Sequence, residues 1–353
     1  MVGQHADDLW RPTASLRRLR QRAALLHVIR EFFHAHSFWE VETPLMSQDI
    51  VVDAWLEPIC CEWMWNPWSA DKRSELRYLQ TSPEFAMKRL LAAGADAIYQ
   101  LGKVFRNGEY GPRHNPEFTL LEWYRIHSDI WEQMELVERL VRAVMSVALL
   151  FDCPGTQRTA LRVFGSERFE RLSYDEAFVR YAGEGVLGKS VDELQELAER
   201  FLLVPPPSLD LEDRDGWLNW LLAELVEPHL GVEHPVFVWG FPASQAALAE
   251  TQTDQQGNAI ALRFELYIDG VELCNGYQEL RDVEEYARRV RQQAQSRESA
   301  GLRPLPEHSR LMQAMAEGLP PCAGVALGVD RLVMLALGAS CLDEVLAFPF
   351  PRA

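Results

Sequence analysis

The stretch that most constrains this chain is residues 263–280, RFELYIDGVELCNGYQEL. Leu262, Phe264, Leu266 and Ile268 alternate with Arg263, Glu265 and Tyr267, the period of a half-buried strand. Asp269-Gly270 is a two-residue turn that reverses the chain with the twist paired strands need. Pairing back from it sets Ile268 opposite Val271 and Tyr267 opposite Glu272, so Glu265 and Glu272 become diagonal neighbours on one face. Two carboxylates so placed repel unless positive charge lies between them. Mg²⁺ bridging to phosphate oxygens would supply it; a solvated polar face is the alternative. Strict alternation points Glu279 away from Glu272, so a shared face requires a bulge, expected near Gly276.

Around this hairpin the pattern predicts a helix over 13–36, with Thr13 or Ser15 as N-cap and Leu16, Leu19, Ala23, Leu26, Ile29 and Phe33 at helical spacing. It predicts a helix over 84–93, strands over 97–106 and 117–126, and a helix over 129–150. Residues 165–232 read as mostly helical connection. Helices over 281–299 and 309–318 precede a glycine-punctuated strand and an apolar helix over 322–338. Strands at the motif-bearing places, linked by hairpins, favour an α+β domain with an antiparallel sheet flanked by helices. No Rossmann or P-loop glycine pattern occurs, so any nucleotide must be held another way.

The 353 residues carry a net charge of −17. That field opposes a nucleic-acid partner and weighs against tRNA. Residues 1–11 hold acidic groups and no apolar core of a signal peptide, and the longest apolar run, near 143–151, is too short to span a bilayer. A cytoplasmic protein without a membrane partner is expected. The six cysteines show no zinc spacing.

Two further segments carry chemistry. Phe105-Arg106-Asn107-Gly108-Glu109 precedes His114-Asn115-Pro116-Glu117-Phe118. An Arg at a strand end beside a polar loop suits a triphosphate, where its planar fork neutralises developing charge. A surface hairpin with an exposed Arg is the bland reading. In Gly324-Val325-Ala326-Leu327-Gly328-Val329-Asp330-Arg331, glycines leave room for a flat ligand. Arg331 opens a helix, where a free cation is unfavourable, so it needs an anionic partner, either a ligand phosphate or Asp330.

Together and in this order, these segments resemble the class II aminoacyl-tRNA synthetases. Phe105-Arg106 and its hairpin resemble motif 2, and residues 324–331 motif 3. The early helix ending in Glu42-Thr43-Pro44 resembles motif 1, the dimer element. Ser82-Pro83-Glu84, Glu122-Trp123-Tyr124 and residues 275–280 are similar to the lysine subgroup. With residues 1–14 as an extension and 15–353 as catalytic domain, no anticodon-reading OB domain is expected. That form is similar to the elongation factor P lysine ligase family.

The resemblance implies an AMP-forming ligase, a homodimer, that activates (R)-β-lysine or lysine with ATP and passes it to a lysine of elongation factor P. It implies catalytic roles for Arg106 and Arg331, and an ATP site completed by Asn107, Gly108, Asn115, Glu272, Leu273 and Gly328. Glu265 and Glu272 would take Mg²⁺. Ser82, Pro83, Glu84, Glu122, Tyr124, Glu279 and Ala326 would form the amino-acid pocket. The family often has Glu two residues after the motif 2 Arg, where it contacts adenine; here Gly108 stands there, with Glu109 next. Ala326 replaces a usual glycine, and its methyl is expected to favour a β-amino acid. The rivals are a truncated lysyl-tRNA synthetase and a non-catalytic paralogue that binds a partner.

Overall fold

The computed structural model describes residues 10–69 and 73–353. Most of the expected extension, and of the segment read for a signal peptide, therefore lies outside the described residues. Helix α1 (Leu16–Ala35) begins at Ser15, whose hydroxyl accepts from the Arg18 N–H, leaving that first-turn donor satisfied. Its buried stripe is Gln21, Leu25, Ile29, Phe32 and Phe33. Leu16, counted in the expected stripe, is 66% exposed.

Strand β1 (Trp39–Glu40) is followed by β2 (Met46–Ser47), β3 (Cys60–Met64) and β4 (Ser74–Leu79); the last three form their own sheet, ordered β2-β4-β3. Then come α2 (Glu84–Ala92), β5 (Ala97–Phe105), β6 (Glu117–Ile126) and α3 (Ile130–Ala148), close to their expected bounds. After α4 (Thr156–Phe164) the supposed helical connection contains a strand, β7 (Glu170–Ser173), too short for its alternation to stand out. Helices α5 (Tyr174–Ala182), α6 (Val191–Arg200) and α7 (Arg214–Leu221) follow. Next are β8 (Val236–Trp239), β9 (Thr251–Thr253), β10 (Ala259–Ala261), β11 (Arg263–Ile268) and β12 (Val271–Gln278). The chain ends with α8 (Val283–Ser299), α9 (Arg310–Gly318), β13 (Cys322–Gly328) and α10 (Val329–Ala336).

The main sheet has eight strands, ordered β1-β5-β6-β13-β12-β11-β8-β7. From β5 to β8 every pairing is antiparallel, as expected. The two edges, β1 on β5 and β7 on β8, are parallel, so the sheet as a whole is mixed. Among the described residues no helix is long and apolar enough to cross a membrane.

The two faces of this sheet differ because side chains alternate along each strand. Leu121 and Trp123, Val325 and Leu327, and Phe264 and Leu266 turn into a core shared with Phe33 of α1 and Val137, Leu140, Val141 and Val144 of α3. Each fully buried aliphatic side chain contributes about 1.5–3 kcal/mol. Cross-strand pairing puts Gln100, Glu122, Tyr124, Gly324, Ala326, Asn275, Tyr277 and Glu265 on the opposite face. One face of the sheet thus anchors the fold, and the other presents polar groups in register.

Candidate active site

The turn forms as its residues dictate: Asp269 (φ 58) and Gly270 (φ 65) are both left-handed, and Ile268 faces Val271 while Tyr267 faces Glu272. The bulge exists, but not at Gly276. The register slips between Leu266 and Tyr267, which leaves Leu273 of β12 unpaired. Gly276 pairs regularly with Phe264 and Val325; a Cβ there would collide with the Phe264 ring. The extra residue at Leu273 brings Glu272 onto the face of Asn275, Tyr277 and Glu279.

At one end of this face lies an acidic pocket. Ser82, just before α2, donates its hydroxyl to both oxygens of Glu122, at 3.1 and 2.8 Å, and also accepts from the Glu84 N–H. Pro83 is the N-cap of α2. The Tyr124 hydroxyl donates to Glu122 at 2.6 Å. Beneath them Lys88, with 2% of its side chain exposed, lies 2.5 Å from both Glu84 and Glu279. A Cβ at Gly324 would strike the Tyr124 ring and stand 2.7 Å from Glu279, so the pocket requires glycine on β13 there.

Two buried carboxylates, Glu84 and Glu279, therefore grip one ammonium, and a third, Glu122, lies in the same pocket. Burial, then repulsion from Glu84, pushes Glu122 up to about 7 against the hydrogen bonds of Tyr124 and Ser82. Burial likewise lifts Glu279 to about 8, opposed by Lys88. For Lys88, burial disfavours the charge, but Glu279 and Glu84 outweigh it and hold the ammonium charged. Near neutral pH the pocket holds protons rather than carry all of its negative charge, and further cations would let it ionise. Sequence reasoning missed Lys88. The signal was present, since Glu84 and Lys88 are four apart on one helix and so share a face.

At the other end lie the arginines. The Arg106 N–H donates to the Pro116 carbonyl, and the Asn107 N–H to the Glu57 carbonyl, both at 2.8 Å. The backbone is thus held from both sides, while the side chain is hardly committed. The Arg106 guanidinium lies over the Phe118 ring at 5.1 Å and 3.6 Å from Glu109, and its buried Nε has no partner. Gly108 has φ +81, a left-handed turn that disfavours the glutamate the family often carries there. The next residue, Glu109, returns to Arg106 instead.

Arg331 does not pair with Asp330. Its anionic partner is Glu272, 3.6 Å away, and its Nη1 also donates to the Glu272 carbonyl at 3.0 Å. Its Nη2 donates to Nε2 of His114 at 2.7 Å, which needs that nitrogen unprotonated; burial and then Arg331 depress the His114 pKa accordingly. Asp330 instead binds Arg22 of α1 at 2.5 Å and accepts from the Thr119 N–H, tying the first helix to the turn that carries Arg331.

The positive charge beside Glu265 also comes from within the chain. Glu265 accepts from Arg263 at 2.5 Å, Tyr267 at 2.6 Å and Asn275 at 3.2 Å. Glu272, with 41% of its side chain exposed, is the freer carboxylate. Partial burial, then Glu265, raises it above the ordinary carboxylate range, against Arg331, Arg263 and Arg106. That residual repulsion fits a divalent cation. Among the described residues no three acidic, His or Cys side chains are close enough to cage an ion. Mg²⁺ taking one or two carboxylates plus substrate phosphates suits such a pair.

The remaining expected residues fall beside this row. The Asn115 amide is engaged within the chain, donating to the Glu117 carbonyl at 2.7 Å and accepting from the Phe350 N–H at 2.9 Å. Leu273 is buried in the core and offers the face only its backbone. Gly328 caps α10, and a Cβ there would sit in ordinary contact with Arg331 and the Leu273 carbonyl, so packing within the chain does not by itself require this glycine. Ala326 pairs with Glu122 on one side and Asn275 on the other. It stands between the acidic pocket and the arginine end.

Comparison with known proteins shows the family. The family model for class II tRNA synthetases (D, K and N) matches residues 4–352. An elongation factor P--(R)-β-lysine ligase of Yersinia enterocolitica is 45% identical over 344 residues, covering 98% of each chain. Ligases of the same name from Photorhabdus laumondii and Edwardsiella ictaluri are each 44% identical over 344 residues, again covering 98% of each chain.

Proposed function

The chain belongs to the class II tRNA synthetase family and to its elongation factor P--(R)-β-lysine ligase branch; it is an ATP-dependent ligase, and we propose that it joins (R)-β-lysine, or lysine, to a lysine side chain of elongation factor P. The observation that carries the choice of substrate is the pocket of Glu84, Glu122 and Glu279, in which Glu84 and Glu279 share the ammonium of Lys88 and Glu122 pairs with no cation. Its carboxyls outnumber its cation, and ammonium groups entering it would hold them ionised, which suits an amino acid with two ammonium groups.

In the first step an oxygen of the substrate carboxylate forms a bond to the α-phosphorus of ATP. The bond from that phosphorus to the bridging oxygen breaks, and pyrophosphate leaves with the electron pair. No side-chain nucleophile is required. Arg106 neutralises charge on the α-phosphate, and Arg331 shifts from Glu272 and His114 to the phosphates. Ser82 and Tyr124 hold Glu122 in place to receive an ammonium. Asn107, Gly108, Asn115, Leu273 and Gly328 line the nucleotide. Glu272, with Glu265 behind it, would hold Mg²⁺, which offsets phosphate charge when bound. In the second step the acceptor amine forms an amide bond to the acyl carbon, AMP leaves, and the amine gives up a proton.

The working form in this reading is a cytoplasmic homodimer, with tRNA excluded as acceptor; the net charge of −17 supports that exclusion by repelling a polyanion. The test is incubation with ATP, Mg²⁺ and either (R)-β-lysine or lysine, offered elongation factor P or tRNA. A mass increase of one aminoacyl group on elongation factor P is expected. Charging of tRNA alone would replace this reading with that of a tRNA ligase, and no transfer or pyrophosphate exchange would point to a binding protein.

A further inference from the structure

Far from the reacting groups, one buried cation is connected to them. Arg297 lies in the last turn of α8, where positive charge is favoured by the helix dipole. It is fully buried, at 0% exposure. A buried guanidinium is costly unless most of its donors are used, and here both terminal nitrogens turn to one loop, residues 53–57. Nη2 meets Glu57 at 2.5 Å, Nη1 lies 3.3–3.4 Å from the carbonyls of Asp53, Ala54 and Leu56, and Nε donates to the Arg303 carbonyl at 3.0 Å. One turn earlier on α8, Gln293 accepts from the Ala54 N–H at 2.7 Å. Within the loop, Asp53 accepts from the N–H groups of Trp55 and Leu56. α8 therefore holds this loop at Asp53, Ala54, Leu56 and Glu57.

The loop's outer side receives the arginine segment. The Glu57 carbonyl accepts from the Asn107 N–H at 2.8 Å, directly after Arg106, whose own N–H is held by Pro116. Arg106 has few side-chain contacts to hold it, so its place depends on that backbone. We propose that Arg297, acting through the Glu57 loop, is a positioning residue for Arg106 in adenylate formation. This rests on the ligase reading above. The acidic pocket has no contact with the loop among these bonds, so displacement should slow the chemical step and leave amino-acid recognition intact.

The test is amino-acid-dependent ATP–pyrophosphate exchange by the full chain, with each variant's thermal midpoint measured beside it. Arg297→Met is expected to lower kcat about 10- to 100-fold, because small misplacements near a reacting phosphate are costly, while the amino-acid KM moves by no more than about twofold. Arg297→Lys should fall between. Glu57→Gln, which removes the ion pair and keeps the backbone carbonyl, should lose less than Arg297→Met, and the double variant no more, because both act along one route. A wild-type kcat in a folded Arg297→Met, or a rate loss that only tracks the unfolded fraction, overturns the proposal. If Arg297→Met does not fold, Glu57→Gln decides, and an unchanged kcat there overturns it. No exchange by the unsubstituted chain overturns the ligase reading and this one together; normal exchange with unaffected variants overturns this one alone.

Discussion

The two ends of the polar face are built on opposite plans. At the acidic end the side chains are fixed: Glu122 receives Ser82 and Tyr124, and Lys88 is gripped by Glu84 and Glu279. At the arginine end the Arg106 backbone is fixed and its side chain is left open, with Nε unpartnered, while Arg331 is held by exchangeable partners, a half-exposed Glu272, His114 and the Arg113 carbonyl. The difference follows the ligands each end suits. A small dication is recognised by a rigid buried charge pattern, whereas phosphates need donors that can move onto developing charge. The acidic end stores repulsion that substrate relieves, and the arginine end stores donors that substrate satisfies.

The sharpest way to break this contrast is to remove the one cation of the rigid end. Lys88→Met leaves buried carboxylates uncompensated and should cost about 3–5 kcal/mol of stability, read by urea unfolding. An unchanged stability would mean that Lys88 does not organise the pocket.

Arg106→Ala should do the reverse, leaving stability nearly untouched and cutting pyrophosphate exchange by about 10²–10³-fold. Near-normal exchange would remove Arg106 from the α-phosphate.

The stored repulsion should appear in the pH dependence. Glu122 and Glu279 have folded pKa values raised to about 7 and about 8, from an ordinary 4.5. A raised carboxyl favours the fold in its protonated form, so its contribution is whole below about pH 4.5 and is lost as pH climbs through 7 to 8. A diammonium substrate prefers the ionised pocket. The rise in thermal midpoint with saturating (R)-β-lysine should therefore grow, and its KM fall by about tenfold, between about pH 6 and 8. A flat profile would locate the excess charge elsewhere.

The smallest effect belongs to the boundary between the ends. Ala326→Gly should narrow the preference for β-lysine over lysine by up to about tenfold, the scale of one methyl group in a pocket. An unchanged ratio of kcat/KM values would free Ala326 of that role.

Much of this is legible in the sequence. The Asp269-Gly270 turn, the alternation of β11, the Ser15 cap and the strands 97–105 and 117–126 follow from local rules that act within a few residues. The segments bearing Arg106, Glu272 and Arg331, expected to share one site, do come together in the fold. The location of the bulge is not legible. Gly276 looked like the weak point, yet Leu273 slips out of register, since β12 must match β11 and β13 at once. The strand β7 stayed hidden because its four residues become a strand only by lying beside β8.

The sequence by itself determined the kinds of groups available, their order, and the alternation that separates an apolar face from a polar one. Only the tertiary structure decided which charges meet. Arg331 found Glu272 rather than its neighbour Asp330, which turned to Arg22 from the first helix. Lys88 found Glu279 across the fold as well as Glu84 on its own helix, and Arg297 reached the loop behind Arg106. Local propensity acts over a few residues of chain, whereas a buried charge takes whichever opposite charge packing brings close, however far away in sequence.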